Sequence, residues 1–429
     1  MKRYLIKLYS LFIAMSFMLY SCSSDDLQIL NDVNTHQDDK TNYQRSKEEA
    51  ISLLMKEIKQ FDNFQTTRSY KRQIDKQSIK GIPASQGTRS EDKCIDTLMY
   101  IVNFTEDNGY AVVPGDKRCH HLLAITDYGH YEFDDSTNPG LQLFLKMAEK
   151  YVVEYGRKLP ELDTLQDWVN FTTDTIINSV APKLSISWGQ EYPEGIYCSN
   201  GYSGCVNTAL AMAMAYYQHP VSIALTFMDA PSNGILFNWD SIYNHKGYLL
   251  DGYDLTCSDL THSKIGLLCR QLGELSNTVY NTNGTGSSSN IYNARNAISF
   301  LGYTTSSVID YDEALLMNFL DNDRLVFMSG SLSQEVGHSW IVDGYNSTTY
   351  NINEYHSYDG ISWRLTISST VVNTYNHINW GANGYDNGYF HSGVFNLNNA
   401  YSYDWPYLRL YKDNLNFNTN NQMFSIYYE

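Results

Sequence analysis

Four side chains in this sequence have the types and order needed for acyl transfer: Gln190, Cys205, His338 and Asn379. Cys205 stands where the small residues of Asn200-Gly-Tyr-Ser-Gly204 run into Cys205-Val-Asn-Thr-Ala-Leu-Ala-Met-Ala-Met-Ala-Tyr-Tyr217, an Ala-rich helical pattern. A thiol at a helix start meets unpaired N–H groups and the positive end of the helix dipole, and both favour the thiolate. Roughly 130 residues further on, Val336-Gly-His338-Ser-Trp-Ile-Val-Asp-Gly344 places a histidine at the start of an apolar strand, where its ring can serve as acid and base. In His377-Ile-Asn379-Trp380-Gly381 the Asn379 oxygen could accept from the imidazole's second nitrogen, and Trp380 could shield that contact. Gln190, in Ser187-Trp-Gly-Gln190, could supply a side-chain amide beside the cysteine N–H as an oxyanion hole.

The elements that must position these groups follow from the periodicity. Ser46-Lys-Glu-Glu49 is a capping box, and Ala50, Leu53, Leu54, Ile58 and Phe61 continue at helical spacing. Residues 62–92 are polar and read as a connector. Leu98–Phe104, Tyr110–Val113 and Leu122–Ile125 read as strands, with an Asn108-Gly109 turn between the first two, and suggest a meander; Leu141–Val153 reads as a helix. Residues 46–170 are therefore expected to form a small α+β unit with its own core. Residues 171–429 carry helices first (205–217, 262–276) and strands after Leu325, which suggests a two-lobed α+β domain with a cleft.

The totals narrow the class. Thirty basic against forty-seven acidic residues give a net charge of −17, which argues against nucleic acid or anionic lipid as partners. Lys2-Arg3, an apolar run from Leu11 to Leu19 and then Cys22 read as a signal peptide over residues 1–21, followed by a polar tether over 22–45. Cys22 resembles a lipobox cysteine, which implies a lipid anchor and a secreted, outer-membrane or cell-surface lipoprotein. Of the seven cysteines, Cys198 lies close enough in sequence to Cys205 to raise a reversible pairing, set against a solvent-facing loop cysteine. His219 before Pro220 reads as a helix-end cap, and His245, His356 and His391 read as surface groups.

Taken in order, the Trp-x-Gln190 segment, Gly-Cys205-Val, Phe237-x-Trp239, the Gly284–Ser289 loop, Gly-His338 with Asp-Gly344, and Asn379-Trp-Gly381 resemble the streptopain family of papain-like cysteine peptidases. The segment before them is similar to that family's inhibitory propeptide, notably at Tyr100–Phe104, Gly109–Val113 and Asp116–Arg118. The resemblance implies a two-lobed papain-like domain preceded by a propeptide that acts as an intramolecular inhibitor. It implies Cys205 as nucleophile, His338 as acid and base, Gln190 as oxyanion donor, Asn379 and Trp380 orienting and covering the histidine, and Ser287, Ser289 and Gly337 along the substrate cleft. Protein or peptide substrates are expected, with no metal or organic cofactor. Two departures stand out: Trp363–Ile367 adds a strand-like run between Gly344 and His377, and Gly381-Ala-Asn-Gly384 lacks a second tryptophan. A non-catalytic surface module and a transamidating acyl-transferase remain as alternatives.

Overall fold

In the computed structural model of this chain, the described residues are 43–64, 72–83, 96–117, 119, 121–132, 138–158, 168–246, 259–281, 286–332, 337–357, 363–396 and 420–428. The signal pattern, Cys22 and most of the tether lie outside them.

The N-terminal unit follows the sequence pattern. Helix α1 (Lys47–Phe64) opens with the capping box: Ser46 N–H donates to Glu49 Oε2 at 2.7 Å and Glu49 N–H to Ser46 Oγ at 3.2 Å. Strands β1 (Ile74–Pro83), β2 (Thr97–Phe104), β3 (Tyr110–Pro114) and β4 (Ala124–Thr126) form an antiparallel meander. Along β2 the side chains alternate. Tyr100, Val102 and Phe104 pack beneath Ala50, Leu54 and Phe61 of α1, whereas Met99 and Ile101 face helix α2 (Pro139–Lys158). The polar connector expected over 62–92 contains β1, whose side chains are all at least partly exposed except Ile79, so its composition hides its pairing.

Strand β5 (Trp168–Val180) leads to helix α3 (Cys205–Tyr217), packed by α4 (Asp259–Leu275) and α5 (Ile291–Phe300). Residues 206–215 of α3 are all buried, which the sequence meets with small and apolar side chains and with Asn207 and Thr208, both hydrogen-bonded. Helix α6 (Glu313–Asp321) then precedes β6 (Leu325–Ser331), β7 (Gly337–Ser357), β8 (Trp363–Asn379), β9 (Gly388–His391) and β10 (Gln422–Tyr427). Leu325 and Phe327 of β6 face the α3 lobe, and Val326 and Met328 face the opposite layer, which contains α2 and α6. The run Trp363–Ile367 belongs to β8, which pairs with β7 in one long hairpin.

The order β1-β2-β3-β4-β9-β8-β7-β6-β10 makes one sheet through both units. β4 pairs with β9 at Ala124–Phe390, Ile125–Tyr389 and Thr126–Gly388. β5 pairs with β7 from Trp168 to Val180, so the expected division at 170/171 falls inside a strand. The N-terminal unit does not have a core of its own: α2 shares its cluster with Trp340, Trp380, Phe390 and Phe395, and α1 shares its cluster with Tyr375 and Tyr389.

Candidate active site

Cys205 is the first residue of α3, preceded by Gly204 at φ 88°, a left-handed conformation that a side chain would strain. Cys205 is half-buried there. Burial pushes the Cys205 thiol up. The His338 charge and hydrogen bond, helped by the backbone N–H groups of Ser339 and Val206, outweigh burial and hold it below its ordinary value.

His338 is almost fully buried on β7, and its Nε2 lies 2.8 Å from the Trp380 carbonyl oxygen. A carbonyl only accepts, so Nε2 carries the proton towards Trp380, and the same imidazole hydrogen-bonds the Cys205 thiol. The expectation that Asn379 orients the imidazole is therefore corrected. Asn379 Nδ2 donates to Ile186 O at 2.8 Å, and its Oδ1 accepts from Gly381 N–H at 3.2 Å. Asn379 shapes the turn that presents the Trp380 carbonyl, aided by Asn387 Oδ1, which accepts from Trp380 N–H at 3.0 Å. A backbone carbonyl has no sequence signature, which is why residue types pointed to the neighbouring amide.

The Trp380 ring is buried, 6.1 Å from the His338 ring and 5.1 Å from Trp340. Trp340 lies nearly parallel to the histidine ring at 6.3 Å, so it and Trp380 cover the histidine although Gly381-Ala-Asn-Gly384 has no tryptophan. The segment carrying Gln190 reaches the nucleophile loop through Ser203 N–H, which donates to the Gln190 carbonyl at 2.7 Å. Ser287 lies against the same loop: a Cβ on Gly204 would sit 3.0 Å from Ser287 Cβ, and Asn200 Nδ2 donates to Ser287 Oγ at 3.2 Å. Ser289 Oγ instead donates to Ser276 O at 2.5 Å, and Gly337 opens β7 opposite Ser331.

The N-terminal unit reaches this site through the start of α2. Asn138 Oδ1 accepts from Gly140 N–H at 2.9 Å and Leu141 N–H at 3.2 Å, and its Nδ2 donates to Asp386 Oδ2 at 2.9 Å. Gly140 is pressed so closely on the site that a Cβ there would lie 2.4 Å from Trp380 Cε3 and 2.8 Å from His338 Cδ2. Nothing larger than glycine fits between helix and histidine.

Several lesser expectations change. Cys198 is buried and its Sγ contacts Tyr280 OH at 3.6 Å; Cys198 and Cys205 are both free thiols. His219 stacks on Tyr428, with ring centroids 3.6 Å apart, rather than capping its helix. His245 and His391 are buried, not on the surface.

His391 stacks on His121 of the N-terminal unit at 4.0 Å, with Tyr151 and Tyr375 alongside. Burial pushes its pKa down to about 3. Because the folded value lies below the ordinary one, the stabilising contribution is full above about pH 6.5 and is lost as pH falls towards 3, amounting to about 2 kcal/mol at pH 5. In urea unfolding at pH 7.5 and pH 5, His391→Phe is expected to remove about that much of the acid sensitivity. An unchanged pH dependence would count against it.

The comparisons with known proteins bear on this geometry. The Peptidase C10 family model matches residues 185–390, and that of the Spi protease inhibitor matches residues 44–152. Residues 185–390 are a Peptidase C10 domain. The chain is thus a cysteine peptidase preceded by a propeptide inhibitor domain. Among solved structures, a fragment of Prevotella intermedia prointerpain A is similar at 17% identity, covering 82% of this chain and 98% of that one, with a TM-score of 0.52, a likeness of fold. Active wild-type interpain A from Prevotella intermedia aligns at 18% identity over 57% of this chain and 94% of that one, with a TM-score of 0.36. No curated protein matches the chain.

Proposed function

We propose that the chain is the zymogen of a secreted, lipid-anchored cysteine endopeptidase in which Cys205 and His338 form the catalytic dyad. The observation that carries this reading is the half-buried Cys205 at the start of α3, whose thiol is held below its ordinary pKa by the buried His338. The thiolate attacks a peptide carbonyl, and the Cys205 N–H with the Gln190 amide receives the oxyanion. His338 gives its proton to the leaving amine, then takes one from the water that hydrolyses the thioester. Ser287, beside Gly204, suits the substrate wall. While the inhibitor domain is in place, Gly140 fills the space over His338 and Trp380.

An epoxide affinity probe under reducing conditions tests this. It is expected to alkylate Cys205 rapidly once residues 44–152 have been removed and far more slowly in the full chain. Released enzyme that is not labelled overturns the dyad. Product masses showing gain of water, not of amine, separate hydrolysis from acyl transfer. Cys22→Ala is expected to move the protein from the membrane to the soluble fraction, which checks the anchor.

A further inference from the structure

The reaction as proposed needs Gln190 held still relative to Cys205, because an oxyanion donor acts only if it already points to where charge develops. Gln190 sits in a bend with no regular secondary structure, so something outside the segment must fix it. We infer that Thr208, one turn into the nucleophile helix, is the positioning residue that locks the oxyanion segment to that helix. This inference rests on the dyad reading above.

Thr208 lies three residues after Cys205 and so on the same side of α3, and it is completely buried. Its hydroxyl is 3.0 Å from Gly189 O, 3.1 Å from Gly204 O and 2.7 Å from Ser203 Oγ. Gly204 O already receives the Thr208 backbone N–H at 3.0 Å. Either hydroxyl can donate across the 2.7 Å contact, and Ser203 Oγ also lies 3.3 Å from Gln190 O, so the two hydroxyls together serve the Gly189 and Gln190 carbonyls. Ser203 N–H holds the next carbonyl, that of Gln190, at 2.7 Å. Two successive carbonyls are thus pinned, which fixes the peptide planes around the Gln190 Cα.

The methyl group does a second task. A Cβ built on Gly381, at φ 69°, would lie 3.3 Å from Thr208 Cγ2, so the threonine packs under the turn that follows Trp380. From that turn Asn383 returns to the oxyanion segment: its N–H donates to Trp188 O at 3.1 Å, and its amide lies 2.3 to 2.5 Å from where a Gly189 Cβ would be. Gly189 therefore has a hydroxyl on one side and an amide on the other. One side chain touches both the segment that would bind the oxyanion and the turn that presents the carbonyl to His338.

Thr208→Val keeps the shape and removes the hydroxyl, whereas Thr208→Ser keeps the hydroxyl and removes the methyl. Rates are measured on dye-labelled casein with processed enzyme, per active site titrated by the epoxide probe. Thr208→Val is expected to lower kcat about tenfold with KM within about twofold, and to leave the pH profile of Cys205 alkylation by iodoacetamide unchanged. Thr208→Ser is expected to recover most of the rate. Should Thr208→Val fail to fold, Thr208→Ala removes the same hydroxyl and is expected to lower kcat in the same pattern. A kcat within about twofold of wild type per titrated site overturns the inference, and so does an alkylation profile that moves in step with kcat. Those outcomes leave the dyad standing; activity in a Cys205→Ala protein would instead remove the reading on which the inference rests.

Discussion

Cys205→Ala is expected to leave the purified chain unprocessed and to lower kcat/KM on a denatured protein by roughly 10⁴- to 10⁶-fold. The size follows because, among the described residues, neighbouring nucleophiles are not placed to substitute. Ser203 is fully buried and engaged with Thr208 Oγ1 at 2.7 Å. Cys198 is buried against Tyr280, and burial pushes its thiol up, the opposite of Cys205. Alanine suits the first position of α3, so the variant keeps its fold and thermal unfolding gives a midpoint close to wild type. Incubating the variant with a trace of active enzyme then separates self-processing from cutting by another copy. Residual activity within about tenfold of wild type would mean that another group is the nucleophile.

The second large effect concerns stability. Asp343→Ala is expected to destabilise the full chain by about 3–5 kcal/mol, read as a lower urea midpoint in the Cys205→Ala background. Asp343 is wholly buried five residues after His338. Its Oδ1 lies 2.5 Å from His377 Nδ1, and its Oδ2 accepts from Leu184 N–H at 2.8 Å. The other His377 nitrogen is 2.8 Å from Asp127 of the inhibitor domain, and Asp127 is 3.6 Å from Arg72, which in turn holds Asp62 at 2.6 Å. Burial alone would push His377 down, but the two carboxylates prevail and raise it to about 10. A raised histidine contributes stability that is fully present below the ordinary value and is lost as pH rises through the folded value. The alkaline loss should therefore shrink in Asp343→Ala. Asp127→Asn tests the same histidine from the other side: it should weaken the zymogen and leave the processed enzyme unaffected.

Much of the site was legible because its signals are local. The Ala-rich run marked α3 from Cys205 to Tyr217, and the Ser46–Glu49 pair marked the start of α1. Glycines before Cys205 and His338 marked the entries to helix and strand. What the residues did not reveal depends on partners far apart in the chain. β1 looked like a connector because ten residues with one buried side chain carry almost no apolar period. His391 looked like a surface group because its cover, His121, lies on another domain. The pairing of β4 with β9 spans three residues, too few for a pattern, yet it joins the two domains. Asn379 illustrates the same limit within the site: its side chain suited the role expected of it, but the turn it shapes gives that role to a main-chain oxygen.

The shared sheet also determines what maturation must undo. Phe390 of β9 packs edge-on against Phe144 at 4.8 Å, and Tyr389 lies 5.6 Å from Phe61, so both aromatic rings are covered by inhibitor side chains. Taking the inhibitor away would turn β9 into an edge strand, with N–H and C=O groups open to water or to another strand, and would bare those rings. Scission of one peptide bond changes none of these contacts. A nicked chain therefore stays occluded until the inhibitor leaves, by dissociation or digestion, which makes cleavage and activation two separate kinetic events.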